Sequence, residues 1–134
     1  MHPFRSAVEA WDLKAIPALL AEDVVFRSPV AFKPYHGRDL VSAILHGVSR
    51  VFEDFRYDRE IGAPDAADHV LEFRARVGDV DVHGVDILHT NAAGLIDELV
   101  VMVRPLSAGK ALAAAMAIQF ETVLREAGGA AGPA

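Results

Sequence analysis

Between His69 and Pro105 the chain alternates apolar and polar residues in three runs joined by two tight-turn signals, and this pattern restricts the fold more than any other feature. In HVLEFRARV, residues 69–77, Leu71, Phe73, Ala75 and Val77 alternate with Glu72, Arg74 and Arg76. That is the period-two pattern of a strand with one buried and one wet face. Gly78 and Asp79 mark a hairpin into VDVHGVDIL, residues 80–88, and Asn91 to Gly94 turn the chain into LIDELVVMVRP, residues 95–105. The spacing predicts three sequential antiparallel strands.

Helical periods surround this meander. Phe4, Val8 and Trp11 share one face of a helix begun at Pro3, and Asp12 reads as the N-cap of a second helix carrying Leu13, Ile16, Leu19 and Leu20, kept short by Pro17. Residues 23–39 read as a strand, an irregular turn and a short edge piece, because Pro29 and Pro34 forbid a central strand. From Arg38 to Phe55, Leu40, Ile44, Val48, Val51, Phe52 and Phe55 recur every three or four residues as a long amphipathic helix, and IGAPDAAD supplies the next turn. A last helix, from Ser107 or Lys110 to Ala127, carries Leu112, Met116, Phe120 and Val123 on one stripe. The order predicts one α+β domain over residues 1–127, with three N-terminal-half helices laid on one side of a curved antiparallel sheet, a C-terminal helix, and a flexible tail over 128–134.

Composition narrows function by exclusion. Across 134 residues, 13 Lys and Arg against 19 Asp and Glu give a formal charge of −6, so no basic field is expected to hold nucleic acid or an anionic membrane surface. No apolar run approaches the roughly 20 residues of a membrane span, and MHPFRSAVEA has neither the cationic nor the apolar segment of a secretion signal, so a cytoplasmic protein is expected. The absence of Cys removes disulfides, thiolate zinc sites and Cys nucleophiles. His83 and His89 lie six residues apart on one strand face, about 20 Å when extended, too far to share an ion. Neither a metal nor another cofactor is expected. The 52% hydrophobic content slightly exceeds the usual globular share, and the surplus is expected to face a cavity or a second protomer.

The order of elements, together with AWDLKAIPALLAED, SPV followed by YHGRD, GVDIL and AAGLIDELVVMV, resembles the SnoaL-like branch of the nuclear transport factor 2-like superfamily over about residues 3–105. The resemblance implies a cone-shaped sheet around an apolar pocket, often in a dimer, hosting isomerases, cyclases, hydrolases and binding modules. Ketosteroid isomerases of this fold use a Tyr on the first helix, an Asp base near the end of the first strand and a neutral Asp on a later strand. On this chain those places fall on Phe4, Ser28 and Asp86. A phenyl ring has no donor and a Ser hydroxyl is too weak a base to abstract a carbon-bound proton unaided, so steroid isomerisation by that mechanism is not expected. No epoxide hydrolase residue set transfers.

The residues themselves point to Asp86. It shares a strand face with Val82, Gly84 and Leu88, where apolar walls oppose ionisation and make a carboxyl a proton donor or general acid; the competing reading is a structural carboxyl held by a neighbouring Arg or Tyr. Asp86 is the catalytic candidate. Phe4, Trp11, Ser28, Phe32, Tyr35, His36, Phe52, Phe73, Val101 and Met116 are candidates for the pocket of a small apolar organic ligand, with His36 as an available neutral base and Ser28 as a polar contact. Val85, Ile87, Val100 and Met102 make the opposite sheet face apolar as well, which predicts a homodimer there, unless the C-terminal helix covers that face or caps the pocket. Cofactor-free acid-base chemistry, a non-catalytic binding module and a dimerisation scaffold all fit these residues.

Overall fold

In the computed structural model, which describes residues 1–128, the elements run α1 (Pro3–Glu9), a 3-10 turn (Leu13–Ala15), α2 (Ile16–Leu19), β1 (Leu20–Arg27), β2 (Tyr35–His36), α3 (Arg38–Val51), β3 (Glu53–Ile61), β4 (Asp68–Val77), β5 (Val80–Thr90), β6 (Ile96–Arg104) and α4 (Leu106–Gly128). The strands form one curved six-stranded sheet in the order β2-β1-β6-β5-β4-β3. The expected meander is present, with Phe73 opposite Gly84, Leu71 opposite Asp86 and Asp86 opposite Val101. No helix among the described residues is long and apolar enough to cross a membrane. The tail expected over 128–134 lies outside the described residues, except Gly128, which ends α4.

Four expectations need correction. The meander has four strands, because the helix predicted to Phe55 ends at Val51 and residues 53–61 form β3. Phe55, three residues after Phe52, continues the helical spacing past the end of α3, and irregular pairing at Glu53/Arg56 and Tyr57/Arg59 interrupts the alternation that would mark β3. The sheet is not wholly antiparallel, since β1 runs parallel to β6. Nor is β1 an edge strand: Pro29 and Pro34 follow Arg27, leaving the strand free to pair with both β2 and β6.

The fourth correction concerns α1, which stops at Glu9 and leaves Trp11 at φ +56° and 55% exposed instead of in the core. The Trp11 amide donates to the Val8 carbonyl at 3.0 Å and the Asp12 amide to that of Ala7 at 2.8 Å. These bonds close the helix by a turn whose left-handed position favours glycine; a side chain there costs about 1 kcal/mol. Asp12 makes no side-chain capping bond.

All four helices lie on the concave side, which settles the position left open for the C-terminal one. The inner face contributes Leu71, Phe73, Leu88 and Leu99, buried against Phe4, Ile16, Val41, Ile44 and Val123 from the helices. Gly47 permits the close approach of α3 and α4, since a Cβ there would stand 2.8 Å from Val123 Cγ2. Arg50 ties the same pair, donating to Gln119 at 2.8 Å and to Glu126 at 2.9 Å. On the convex side Val85, Ile87 and Val100 are half-buried and Met102 is 55% exposed. Ion pairs such as Arg27 with Glu98, Arg59 with Glu72 and Arg74 with Asp58 frame this apolar strip.

Gly84 has a similar packing role within the sheet. A Cβ there would overlap the Phe73 ring and stand 2.6 Å from the Met102 carbonyl oxygen. Gly84→Ala is therefore expected to destabilise the fold by about 3 kcal/mol through overpacking, checked by urea denaturation.

Candidate active site

The sheet and helices do not fill the space between them. A cavity of about 120 Å³ remains, walled by α1 (Phe4, Val8), α3 (Ile44, Val48), α4 (Leu112, Met116, Phe120) and the inner sheet face. Of the residues expected there, Phe4, Trp11, Ser28, Tyr35, Phe52, Phe73, Val101, Met116 and Asp86 line it. Phe32 and His36 do not. Phe32 sits at the tip of the proline-bounded β1–β2 connection, fully exposed. His36 is exposed on β2, bordering a separate groove with Glu22, Arg38 and Leu124. Alternation along the two-residue β2 turns Tyr35 and His36 to opposite faces, so only one can reach the cavity.

Aromatic rings make up much of the wall. Phe55 stacks on Phe73 with ring centroids 5.0 Å apart and meets Tyr57 edge-on at 5.0 Å, while Phe52 lies 5.7 Å from Phe73. Tyr35 packs between Phe26 and Phe120. The few polar groups are mostly engaged with the chain itself: Ser28 Oγ accepts from the Val30 amide at 3.1 Å, and Ser49 Oγ donates to the His46 carbonyl at 2.6 Å.

The exception is Asp86. Its cross-strand neighbours Leu71 and Val101 are apolar, its residue exposure is 7%, and Tyr57 donates its hydroxyl proton to Oδ2 at 2.8 Å. Among the described residues Oδ1 makes no hydrogen bond, and the side chain borders the cavity. Burial pushes the carboxyl up to about 7, against a smaller lowering by the Tyr57 hydrogen bond. Tyr57 is held well above the ordinary tyrosine range, first by burial and then by the Asp86 charge. At neutral pH the tyrosine is a fixed donor and the aspartic acid exists in both protonation states, the condition under which one group both takes and returns a proton. Among the described residues no group of three or more His, Asp or Glu side chains gathers to hold a metal.

Tyr57 is the site residue that sequence reasoning missed. It lies on the unrecognised β3, and the available signal was the pair Phe55 and Tyr57, two residues apart and apolar on the same side. Its partner is 29 positions away.

The raised carboxyl carries a sign for stability. Folding favours the protonated form of Asp86, so this contribution is complete below the ordinary carboxylate range and is lost as pH rises through about 7. Asp86→Asn is expected to remove that component, leaving a flatter stability curve between about pH 4 and 8 by denaturant titration.

The chain matches the SnoaL-like domain family over residues 3–99. Among solved structures, a steroid delta-isomerase from Pseudomonas aeruginosa is 42% identical, with a TM-score of 0.84, over 90% of this chain and 88% of that one. An uncharacterised bacterial protein with a cystatin-like fold from Silicibacter pomeroyi is 41% identical, with a TM-score of 0.82, over 89% and 86% of the two chains. A nuclear transport factor 2-like protein of unknown function from Mesorhizobium loti, at 20% identity and a TM-score of 0.65 over 76% and 85%, shares the fold. Comparison with curated proteins finds no match. With the family match spanning most of its length, and the α+β cone it implies present, the chain belongs to the SnoaL-like domain family of the nuclear transport factor 2-like superfamily.

Proposed function

We propose that the cavity binds an apolar ring compound bearing one carbonyl group and that Asp86 moves a proton on it without a cofactor. The observation that carries this reading is the carboxyl itself: one oxygen is held by Tyr57, the other has no partner among the described residues, and the surrounding walls are apolar. Burying such a group is unfavourable unless the vacant oxygen has a use. Ionised Asp86 would take a proton from the carbon beside the carbonyl, breaking C–H and forming O–H at Oδ1. It would return that proton to carbon with no net oxidation. The similar protein from Pseudomonas aeruginosa bears the name of a steroid isomerase, an activity of the same chemical kind.

Two features separate this reading from a steroid isomerase. Phe4 and Ser28 both line the cavity, but neither supplies the phenolic donor or the carboxylate base that the resemblance calls for. A volume of about 120 Å³ is close to that of a cavity that accepts a single apolar ring. A larger skeleton would require wall side chains such as Phe52 or Met116 to move. A binding module without catalysis is the second reading, favoured by the Tyr57 bond that also gives Asp86 a structural role.

We also propose that the convex face pairs with a second copy through Val85, Ile87, Val100 and Met102. The exposed Met102 supports this, as does a frame holding charges of both signs, which lets two copies meet without a like-charge penalty. Light scattering is expected to give twice the chain mass, and Met102→Glu to shift it toward the monomer; a monomeric parent protein would refute the pairing.

For the reaction, the protein is incubated with cyclohexyl methyl ketone in D₂O and α-proton exchange is followed by NMR. Exchange above the buffer rate is expected, rising with pH through about 7 and falling at least ~100-fold in Asp86→Asn. Tyr57→Phe removes the bond that lowers the Asp86 pKa, so the inflection should move to higher pH. Calorimetric binding without exchange would leave the binding module; no binding would sink both readings.

A further inference from the structure

Trp11 is the only tryptophan in the chain, and about half of it is exposed. It occupies the left-handed position of the turn closing α1, at φ +56°, where glycine would be unstrained. The side chain is 55% exposed, makes no hydrogen bond through its indole nitrogen among the described residues, and stacks on no other aromatic ring there. Yet it lines the cavity. Val30 from the β1–β2 connection shares both properties, lining the cavity while 38% exposed, so these two residues lie at its mouth. A large ring held in an unfavourable backbone conformation, with half its surface in water, needs a use that the unliganded fold does not provide.

We infer that Trp11 is a ligand-binding residue: its indole covers the apolar end of the bound molecule at the cavity mouth while Asp86 engages the polar end inside. This rests on the reading of the cavity given above and adds a size rule. The preferred compound reaches from Asp86 to the indole, and a molecule bearing the same carbonyl without a ring leaves Trp11 uncovered and binds more weakly.

The test uses the full chain and cyclohexyl methyl ketone, with acetone as the ringless control. Saturation with the ring ketone is expected to shift Trp11 emission to the blue and reduce its quenching by acrylamide, whereas acetone leaves both unchanged. Trp11→Gly should fold at least as stably, because glycine accepts the positive φ, while its calorimetric Kd for the ring ketone rises about tenfold. Trp11→Phe should recover part of that affinity. Unchanged affinity in Trp11→Gly, or an unresponsive indole in a protein that binds by calorimetry, overturns the assignment of Trp11 and leaves the cavity reading intact. So does a Trp11→Gly variant that loses stability along with affinity, since that marks the ring as structural packing. A parent protein that binds no ring ketone by calorimetry overturns the cavity reading and this assignment together.

Discussion

Covering the concave face of the sheet is the constraint on which the rest of the structure depends. Leu71, Phe73, Leu88 and Leu99 present an apolar surface that cannot stay in water, and burying each such side chain stabilises the fold by about 2 kcal/mol. Helices α1, α2 and α3 supply part of the cover. The close α3–α4 contact at Gly47 and the Arg50 bonds bring α4 onto the same side, where Ala108, Leu112 and Val123 are buried. A curved sheet and straight helices do not fill the space between them, and the remaining volume is the cavity. The site is thus a consequence of how the core closes.

Within that space Asp86 opposes stability. The same apolar walls that favour folding raise the free energy of the ionised carboxyl, and Tyr57 offsets only part of the cost. A Leu or Val at this position would remove that cost but leave the buried Tyr57 hydroxyl without the partner it has here. The carboxyl is therefore a cost to the fold, and Tyr57 orients one of its oxygens and tempers the shift. Trp11 shows the same tension on the backbone: a turn suited to glycine carries the largest side chain in the alphabet, at the cavity mouth.

The opposite sheet face follows different physics. Its charges are paired across neighbouring strands with at least one partner exposed, as in Arg59 with Glu72 and Arg74 with Asp58, so each pair contributes little to stability. The apolar strip between them is small enough for a folded chain in water yet continuous across β5 and β6, where Ile87 faces Val100 and Val85 faces Met102. The pocket side and the strip side of one sheet therefore differ in character, divided by the alternation of side chains along each strand.

Strand alternation is a local property, and for that reason the sequence alone placed β4, β5 and β6, turned Asp86 to the inner face and sorted Arg74 and Arg76 to the outer one. Helical period likewise located α3 and α4, and the order of elements carried the family. What the period could not reach was decided by contacts between residues distant in the chain. Tyr57 meets Asp86 only because β3 joins the meander, and the irregular pairing of β3 interrupts the alternation that would have marked the strand. The parallel pairing of β1 with β6, the choice of side for α4, and the exclusion of Phe32 and His36 from the cavity all depend on which surface a segment packs against. A one-dimensional pattern specifies which face of an element is apolar. Only the assembled tertiary structure specifies which other face it meets, and where the two fail to close.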